Sequence, residues 1–289
     1  MSADGKTQCG LFGWPVGHSI SPDIHNAAFA AAGLKWEYRN YPVRPEELSA
    51  AFRKFAAQGG RGLNITIPHK IAVMELLDRL DDRARLIGAV NTVLFRDGEA
   101  AGFNTDGPGF VRSVEEELDF SFSGKTVVVI GAGGAGRAVA VTSALEGARV
   151  EITDLARKRA EELAGWINRE VRPAAAGFFE PGEAAAERAL GSCDLAVDAT
   201  GLGLRPSGPL PFDPALLPAS AAVIDLVYNP SETPLLAAAR RRGLKALNGL
   251  GMLVGQAALS WEIWTGREAP LEVMRSAARR ALAGRGGEG

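Results

Sequence analysis

Thr126-Val127-Val128-Val129-Ile130-Gly131-Ala132-Gly133-Gly134-Ala135-Gly136 is the stretch that decides how this chain folds. Its β-branched residues favour a short buried strand, and the glycines turn that strand tightly into the alanine-rich run Arg137 to Leu145, which reads as a helix. Gly131 permits the sharp turn, Gly133 lets the backbone come close to a bound group, and Gly136 lets helix pack on strand. The helix N-terminus adds free N–H groups and partial positive charge, a setting for a pyrophosphate. A glycine pattern alone carries little weight. Here a strand precedes it, a helix follows, and a second strand from Arg149 to Thr153 ends at Asp154, completing a unit of the kind that binds a dinucleotide.

The chain has 289 residues, more than one usual domain, so two compact units are expected. With 32 basic and 34 acidic residues its charges nearly cancel, and no summed field draws in nucleic acid or anionic membrane. That balance favours a small-molecule partner. No apolar run approaches the ~20 residues of a membrane span, and the N-terminus lacks a secretory pattern, so the expectation is a cytoplasmic protein with no membrane partner. Cys9 and Cys193 lack the spacing of a metal knuckle or redox pair and read as buried or incidental thiols. His18, His25 and His69 form no ligand grouping, so no catalytic metal is expected.

Before the central stretch, short strands alternate with amphipathic helices. Gln8 to Phe12, Tyr38 to Val43 and Gly62 to Ile67 read as strands. Pro22 to Ala32, with Ser21 as N-cap, and Pro45 to Ala57 read as helices. Asn91 to Phe95 and Ala100 to Asn104 flank Arg96-Asp97-Gly98-Glu99, a tight hairpin that would put an antiparallel edge on a mostly parallel sheet. Gly107 to Leu118 reads as a helix. The polar join Phe120 to Gly124 suggests, on residues alone, a crossing between units. Further strands begin at or near Ala174, Leu195 and Ala222, with a helix from Gly182 to Leu190 and a loop from Leu202 to Pro218. The helices Met252 to Trp264 and Pro270 to Leu282 close the chain before a disordered tail, Gly284 to Gly289.

An enzyme that reduces a carbonyl with a nicotinamide must deliver a proton to the oxygen that gains charge. Lys70 is the candidate donor, in Asn64-Ile65-Thr66-Ile67-Pro68-His69-Lys70 at the end of a buried strand, where Asn64 and Thr66 share one face and Ile65 and Ile67 the other. An ordinary surface lysine is the plainer alternative. Asp106 could cap the helix that follows it, act in the chemistry, or both. Ser19 and Ser21 could turn two hydroxyls toward a carboxylate, though capping would need only Ser21. Gln256 shares a helix face with Met252 and Ser260 and faces either water or a cleft.

The chain resembles the shikimate dehydrogenases, with their quinate relatives, over nearly its whole length. The resemblance rests on ordered motifs: Ser19-Ile20-Ser21-Pro22-Asp23-Ile24-His25-Asn26, the Asn64 to Lys70 run, Gly88-Ala89-Val90-Asn91-Thr92 and Asn104-Thr105-Asp106-Gly107, then Asp225-Leu226-Val227-Tyr228-Asn229-Pro230 and the run Asn248 to Ala257. It implies an α/β fold of two domains with a cleft between them. The substrate-binding domain, with a mostly parallel sheet, would comprise residues 1–106 plus 250–289, and a Rossmann dinucleotide-binding domain residues 107–249. It further implies that Lys70 and Asp106 are the catalytic pair, that Ser19 and Ser21 hold the substrate carboxylate, and that Asn64, Thr66, Asn91 and Gln256 hold ring hydroxyls. Tyr228 would close on the substrate from the nucleotide side. Gly131, Ala132, Gly133, Gly134, Ala135, Gly136, Asp154, Arg159, Thr200, Gly249 and Met252 would meet the cofactor. The implied activity is reversible reduction of 3-dehydroshikimate to shikimate in aromatic amino acid biosynthesis, by a monomer or homodimer.

Two stretches depart from the family pattern. Many NADP-using relatives end the second strand of the nucleotide unit in Asn-Arg-Thr, with the arginine on the 2′-phosphate, where this chain has Asp154-Leu155-Ala156. A carboxylate there suits ribose hydroxyls and repels a phosphate, so NAD is favoured over NADP, although Arg157, Lys158 and Arg159 follow at once. In Asp198-Ala199-Thr200 relatives often have Asn-Ala-Thr. The alternatives are a quinate or aminoshikimate dehydrogenase, or a sensor that binds metabolite and dinucleotide without turnover. Retention of both Lys70 and Asp106 speaks against the sensor.

Overall fold

The structure, a computed structural model, describes residues 5–181, 184–205 and 208–285. It divides into two units, Met1–Thr105 with Val254–Gly289, and Asp106–Leu253.

The first unit is built on strands β1 (Thr7–Gly13), β2 (Trp36–Pro42), β3 (Gly62–Ile65), β4 (Arg79–Leu80), β5 (Thr92–Arg96) and β6 (Glu99–Phe103), with helices α1 (Ser21–Ala31), α2 (Leu48–Ala57) and α3 (Asp82–Ile87). They form one sheet in the order β2-β1-β3-β5-β6-β4. β1 pairs in parallel with β2 and β3, β5 runs antiparallel to both β3 and β6, and β4 runs parallel to β6. The hairpin between β5 and β6 turns at Asp97 and Gly98, both at positive φ, as the Asp-Gly pair requires. The antiparallel strand lies inside the sheet, not at its edge, because β6 and the two-residue β4 continue beyond it. A strand that short leaves no periodicity to read.

Phe12, Phe52, Phe55, Leu63 and Ile65 belong to one apolar cluster of this unit. Phe29, Trp261 and Trp264 are buried too, and Trp264 Nε1 donates to Val93 O at 3.0 Å. Ser21 is the first residue of α1 and not its cap. Its N–H is accepted by Ser19 Oγ at 3.2 Å, so the hydroxyl that serves the helix start belongs to Ser19. β3 stops at Ile65, and Ile67 is 68% exposed instead of joining Ile65 in the core, because Pro68 turns the chain away three residues past the last paired position.

The second unit comprises α4 (Asp106–Leu118), β7 (Thr126–Ile130), α5 (Gly134–Leu145), β8 (Arg149–Thr153), α6 (Arg157–Trp166), β9 (Ala176–Phe178), α7 (Ala184–Gly191), β10 (Leu195–Asp198), β11 (Ala222–Asp225), α8 (Pro234–Arg241), β12 (Lys245–Asn248) and the start of α9 (Leu250–Thr265). α9 and α10 (Leu271–Arg285) supply the C-terminal part of the first unit. All six strands of the second sheet run parallel in the order β12-β11-β10-β7-β8-β9. This is the doubly wound Rossmann order, with its reversal between β7 and β10.

Phe120 to Gly124 joins α4 to β7 within this unit and marks no crossing, since α4 packs on α5. Gly182 and Glu183 of the expected helix, residues 206 and 207 of the expected loop, and residues 286–289 of the expected tail lie outside the described residues. α10 continues through Arg285, beyond the expected start of that tail. Both cysteines are buried and free. Among the described residues no helix is long and apolar enough to cross a membrane.

Candidate active site

In the first unit β1, β3 and β6 point the same way, so their carboxyl ends meet at one edge of the sheet, and the antiparallel β5 starts there. Topology therefore gathers Ser19 and Ser21 after β1, Thr66 and Lys70 after β3, Asn91 before β5, and Thr105 after β6. Ser19 Oγ donates to Ser21 Oγ at 3.0 Å. Asn91 Nδ2 donates to Thr105 Oγ1 at 2.9 Å and to Gln256 Oε1 at 3.4 Å, while its Oδ1 accepts from the Thr105 N–H at 2.7 Å. Asn64 is engaged at both ends of its amide. Oδ1 accepts from the Tyr38 hydroxyl at 2.8 Å, and Nδ2 donates to Ser260 Oγ at 2.9 Å and Asn91 O at 3.1 Å.

Gln256 is buried at 8% exposure, so the water-facing alternative is wrong for it. Tyr38, Thr92, Thr105 and Ser260 complete the cluster, with Thr92 Oγ1 and Ser260 Oγ 2.7 Å apart. Of these, Thr92 and Thr105 lie inside the motifs that carry the resemblance, Ser260 shares a helix face with Gln256 at i, i+4 spacing, and Tyr38 gave no signal in the sequence. Burial holds the Tyr38 phenol well above its usual range, so it acts as a neutral donor.

The segment carrying Lys70 is fixed by its own backbone and by His69. Lys70 O accepts from the Val90 N–H at 2.8 Å, the His69 N–H donates to Thr66 O at 2.9 Å, and buried His69 Nε2 donates to Val43 O at 2.7 Å. Lys70 and Thr66 are half-buried at the sheet edge. A short 3-10 turn at Ala72–Leu76 follows this segment.

In the second unit the glycine turn fits a dinucleotide pyrophosphate. Gly131 has φ +102°, and a Cβ at Gly136 would collide with the Gly131 carbonyl oxygen, so strand and helix meet at backbone contact. A Cβ at Gly133 would meet nothing within 4 Å, so the cradle is open where a phosphate would approach. Asp154 braces this turn, its Oδ2 accepting from the Ala132 N–H and its Oδ1 from the Ala156 N–H, each at 2.8 Å. Asp106 is the first residue of α4 itself, and is buried, so it lies inside the helix it was expected to cap. Tyr228 follows β11 half-buried, Gly249 donates its N–H to Val227 O at 3.1 Å, and Met252 is buried on α9.

Residues 11–93 match the shikimate dehydrogenase substrate binding domain, and residues 249–279 match the shikimate 5'-dehydrogenase C-terminal domain. A protein of Symbiobacterium thermophilum named shikimate dehydrogenase (NADP(+)) is 48% identical over 279 residues, 95% of this chain and 94% of that one. The chain belongs to the shikimate dehydrogenase family. As a member of it, this protein is an oxidoreductase that uses NAD(P).

Solved relatives of the shikimate dehydrogenase family share the fold. A shikimate dehydrogenase in complex with NADP+ superposes with a TM-score of 0.91 at 39% identity, covering 98% of both chains. The Listeria monocytogenes shikimate 5-dehydrogenase, in complex with shikimate and NAD, gives 0.87 at 34% identity, covering 94% of this chain and 96% of that one. Leu155, at the position where the resemblance leads one to expect an arginine in an NADP-using member, stands 96% exposed. The basic residues after it are drawn into ion pairs, Arg157 with Glu161 on α6 and with Glu180 after β9, and Lys158 with Glu162 on α6 at 3.7 Å. Arg159 is exposed on the same helix.

Proposed function

We propose that this chain interconverts 3-dehydroshikimate and shikimate, the step of aromatic amino acid biosynthesis performed by its named relatives. The observation that supports this is the convergence, at one edge of the first sheet, of a serine pair, a set of buried amides and hydroxyls, and a half-buried lysine. A hydroxylated ring acid calls for this combination: hydroxyl donors for its carboxylate, amides for its hydroxyls, and an ammonium for the oxygen that changes oxidation state. Ser19 and Ser21 are assigned to the carboxylate, and Asn91, Thr66 and Gln256 to ring hydroxyls. Asn64, engaged at both ends, fixes the Asn91 backbone and shares in that binding.

The reduced nicotinamide, when bound, supplies the hydride. Lys70 then meets the negative charge that develops on the carbonyl oxygen, stabilises it and gives it a proton. In the oxidative direction a neutral Lys70 takes the proton back. Asp106 is the second group assigned to this acid–base chemistry. In the second unit the Gly131 to Gly136 turn holds the pyrophosphate, and Thr200, Gly249 and Met252 are assigned to the nicotinamide half.

For the adenosine half we infer a preference for NAD. Asp154 spends one lone pair of each oxygen on the glycine turn and the α6 entry, leaving the others for ribose hydroxyls, and its charge opposes a 2′-phosphate. The test is absorbance at 340 nm with shikimate and quinate, each against NAD and NADP. Turnover of shikimate with a severalfold higher kcat/KM for NAD is expected. No turnover of shikimate with either nucleotide would overturn the substrate reading, and a strong NADP preference would overturn the cofactor reading.

A further inference from the structure

Two carboxylates lie side by side under the nucleotide end of the second sheet. Asp198 ends β10 and Asp225 ends β11; they are register partners on adjacent parallel strands, so their side chains leave the same face. Both are buried, Asp198 at 1% exposure and Asp225 at 0%. Asp198 Oδ1 accepts from the Thr200 N–H at 2.9 Å and the Thr200 hydroxyl at 2.7 Å, but Oδ2 is buried with no hydrogen-bond partner among the described residues. Asp225 accepts from the Val227 N–H at 2.9 Å and the Thr233 hydroxyl at 2.7 Å, and Gly203 closes over it, since a Cβ there would fall 2.5 Å from Oδ2.

The charged group that acts on Asp198 is Asp225. Among the described residues its other partners are the neutral Thr200 groups, its β7 neighbour is Ile130, and the α8 entry gives Asp225 the neutral Thr233 hydroxyl. Burial pushes the Asp198 carboxyl up to about 6 against the two Thr200 hydrogen bonds that lower it, and the Asp225 charge adds a smaller upward push. Burial raises Asp225 as well.

In a doubly wound sheet a dinucleotide lies across the carboxyl ends of the strands where the order reverses, one nucleotide on each side. Here the reversal falls between β7 and β10. Asp154 after β8 marks the adenosine side, so β10 and β11 underlie the nicotinamide side. That ring is a cation when oxidised and neutral when reduced. We propose that the buried pair Asp198 and Asp225 sets the relative affinity of this protein for oxidised and reduced nicotinamide nucleotide, holding the oxidised form more tightly as the pair gains negative charge. The proposal rests on the nicotinamide reading above. It assigns a role to the position where this chain carries aspartate and relatives often carry asparagine, since a carboxamide has no charge to offer.

The experiment is direct binding, by fluorescence or calorimetric titration, of NAD+, NADH, NADP+ and NADPH to the full chain and to Asp198→Asn, at pH 5.5 and pH 8. For the wild-type protein the ratio Kd(reduced)/Kd(oxidised) should rise by about tenfold across that interval, the scale of one added charge acting at several ångströms in a partly buried site. In Asp198→Asn, checked for folding by thermal melting, the ratio should stay flat. A wild-type ratio that does not move with pH would overturn the proposal without reference to the variant, and so would an Asp198→Asn ratio that moves as the wild type does. Failure of all four nucleotides to bind would instead overturn the nicotinamide reading.

Discussion

The Tyr38 hydroxyl donates to Asn64 Oδ1 at 2.8 Å and thereby fixes which way the Asn64 amide faces. With the oxygen held by the phenol, the nitrogen must point to Ser260 and Asn91, beside the groups assigned to substrate hydroxyls. Tyr38→Phe leaves a buried carbonyl oxygen without its donor, which costs ~1–3 kcal/mol. The variant should melt several degrees lower, and substrate KM should rise more than kcat falls as Asn64 loses its orientation. Thermal melts and steady-state kinetics on the same preparation check both effects.

Lys70→Ala should lower kcat by ~10²-fold or more with little change in substrate KM, the pattern expected when a proton donor is lost and binding is kept. A change confined to KM would remove Lys70 from the chemistry. Folding should survive, because alanine retains the Lys70 carbonyl that accepts from the Val90 N–H at 2.8 Å.

Ser19 and Ser21 should prove unequal. Ser19 Oγ both donates to Ser21 Oγ and accepts the Ser21 N–H, so it supports the start of α1 as well as the proposed carboxylate site. Ser21→Ala should raise KM for shikimate by ~10-fold or more, as a hydrogen bond to a charged group predicts, and leave the melting temperature near wild type. Ser19→Ala should raise KM and also lower the melting temperature, having lost the helix-start contact. Circular dichroism melts beside initial-rate kinetics separate the two.

Leu155→Arg tests the cofactor assignment by restoring a guanidinium where NADP-using relatives have one. Leu155 is 96% exposed, so the substitution disturbs no packing. kcat/KM with NADP should rise by ~10-fold as a charge-assisted phosphate contact forms, with smaller change for NAD. An unchanged NAD/NADP ratio would show that discrimination lies elsewhere on the chain.

His25 makes the first unit acid-sensitive. Its ring stacks on Tyr38 with centroids 4.4 Å apart and planes 9° from parallel, and burial pushes the imidazole from its usual 6.5 down to about 3. Below its usual value the unfolded chain takes up a proton that the folded chain refuses. The stabilisation is therefore complete above about pH 6.5 and is lost as the pH falls toward 3. The melting temperature of the wild type should fall more steeply over that interval than that of His25→Phe, which keeps the stack and removes the titration. Parallel slopes would contradict the assignment.

The Rossmann sheet was legible because each of its central strands is a pure apolar run bounded by turn residues, as Val127 to Ile130 and Leu195 to Val197 show. β12 was not. Lys245-Ala246-Leu247-Asn248 has polar ends and no alternation, and it becomes a strand only because β11 offers it an edge. Gln256 could have been placed correctly. α9 is apolar nearly all round, so a polar residue midway along it has no wet face to occupy. Ser21 satisfies the residue preference for a cap of α1, but backbone geometry puts Ile20 at the cap position and Ser21 inside the first turn. The buried contacts of Tyr38 and the carboxylate pair at Asp198 are products of strand register, which a local pattern does not encode.

The first unit is discontinuous in the chain, and that orders events during synthesis. Trp264, whose indole bonds to Val93 O and whose carbonyl accepts from Arg61, arrives only after the whole Rossmann segment has been made. The nucleotide half can reach its final form while translation continues, whereas Asn64, Thr92 and His25 wait for α9 and α10 to cover them. A polypeptide that stops after Leu253 would leave those groups exposed to water, so a premature stop near the end of the message should be far more harmful than its distance from Lys70 suggests.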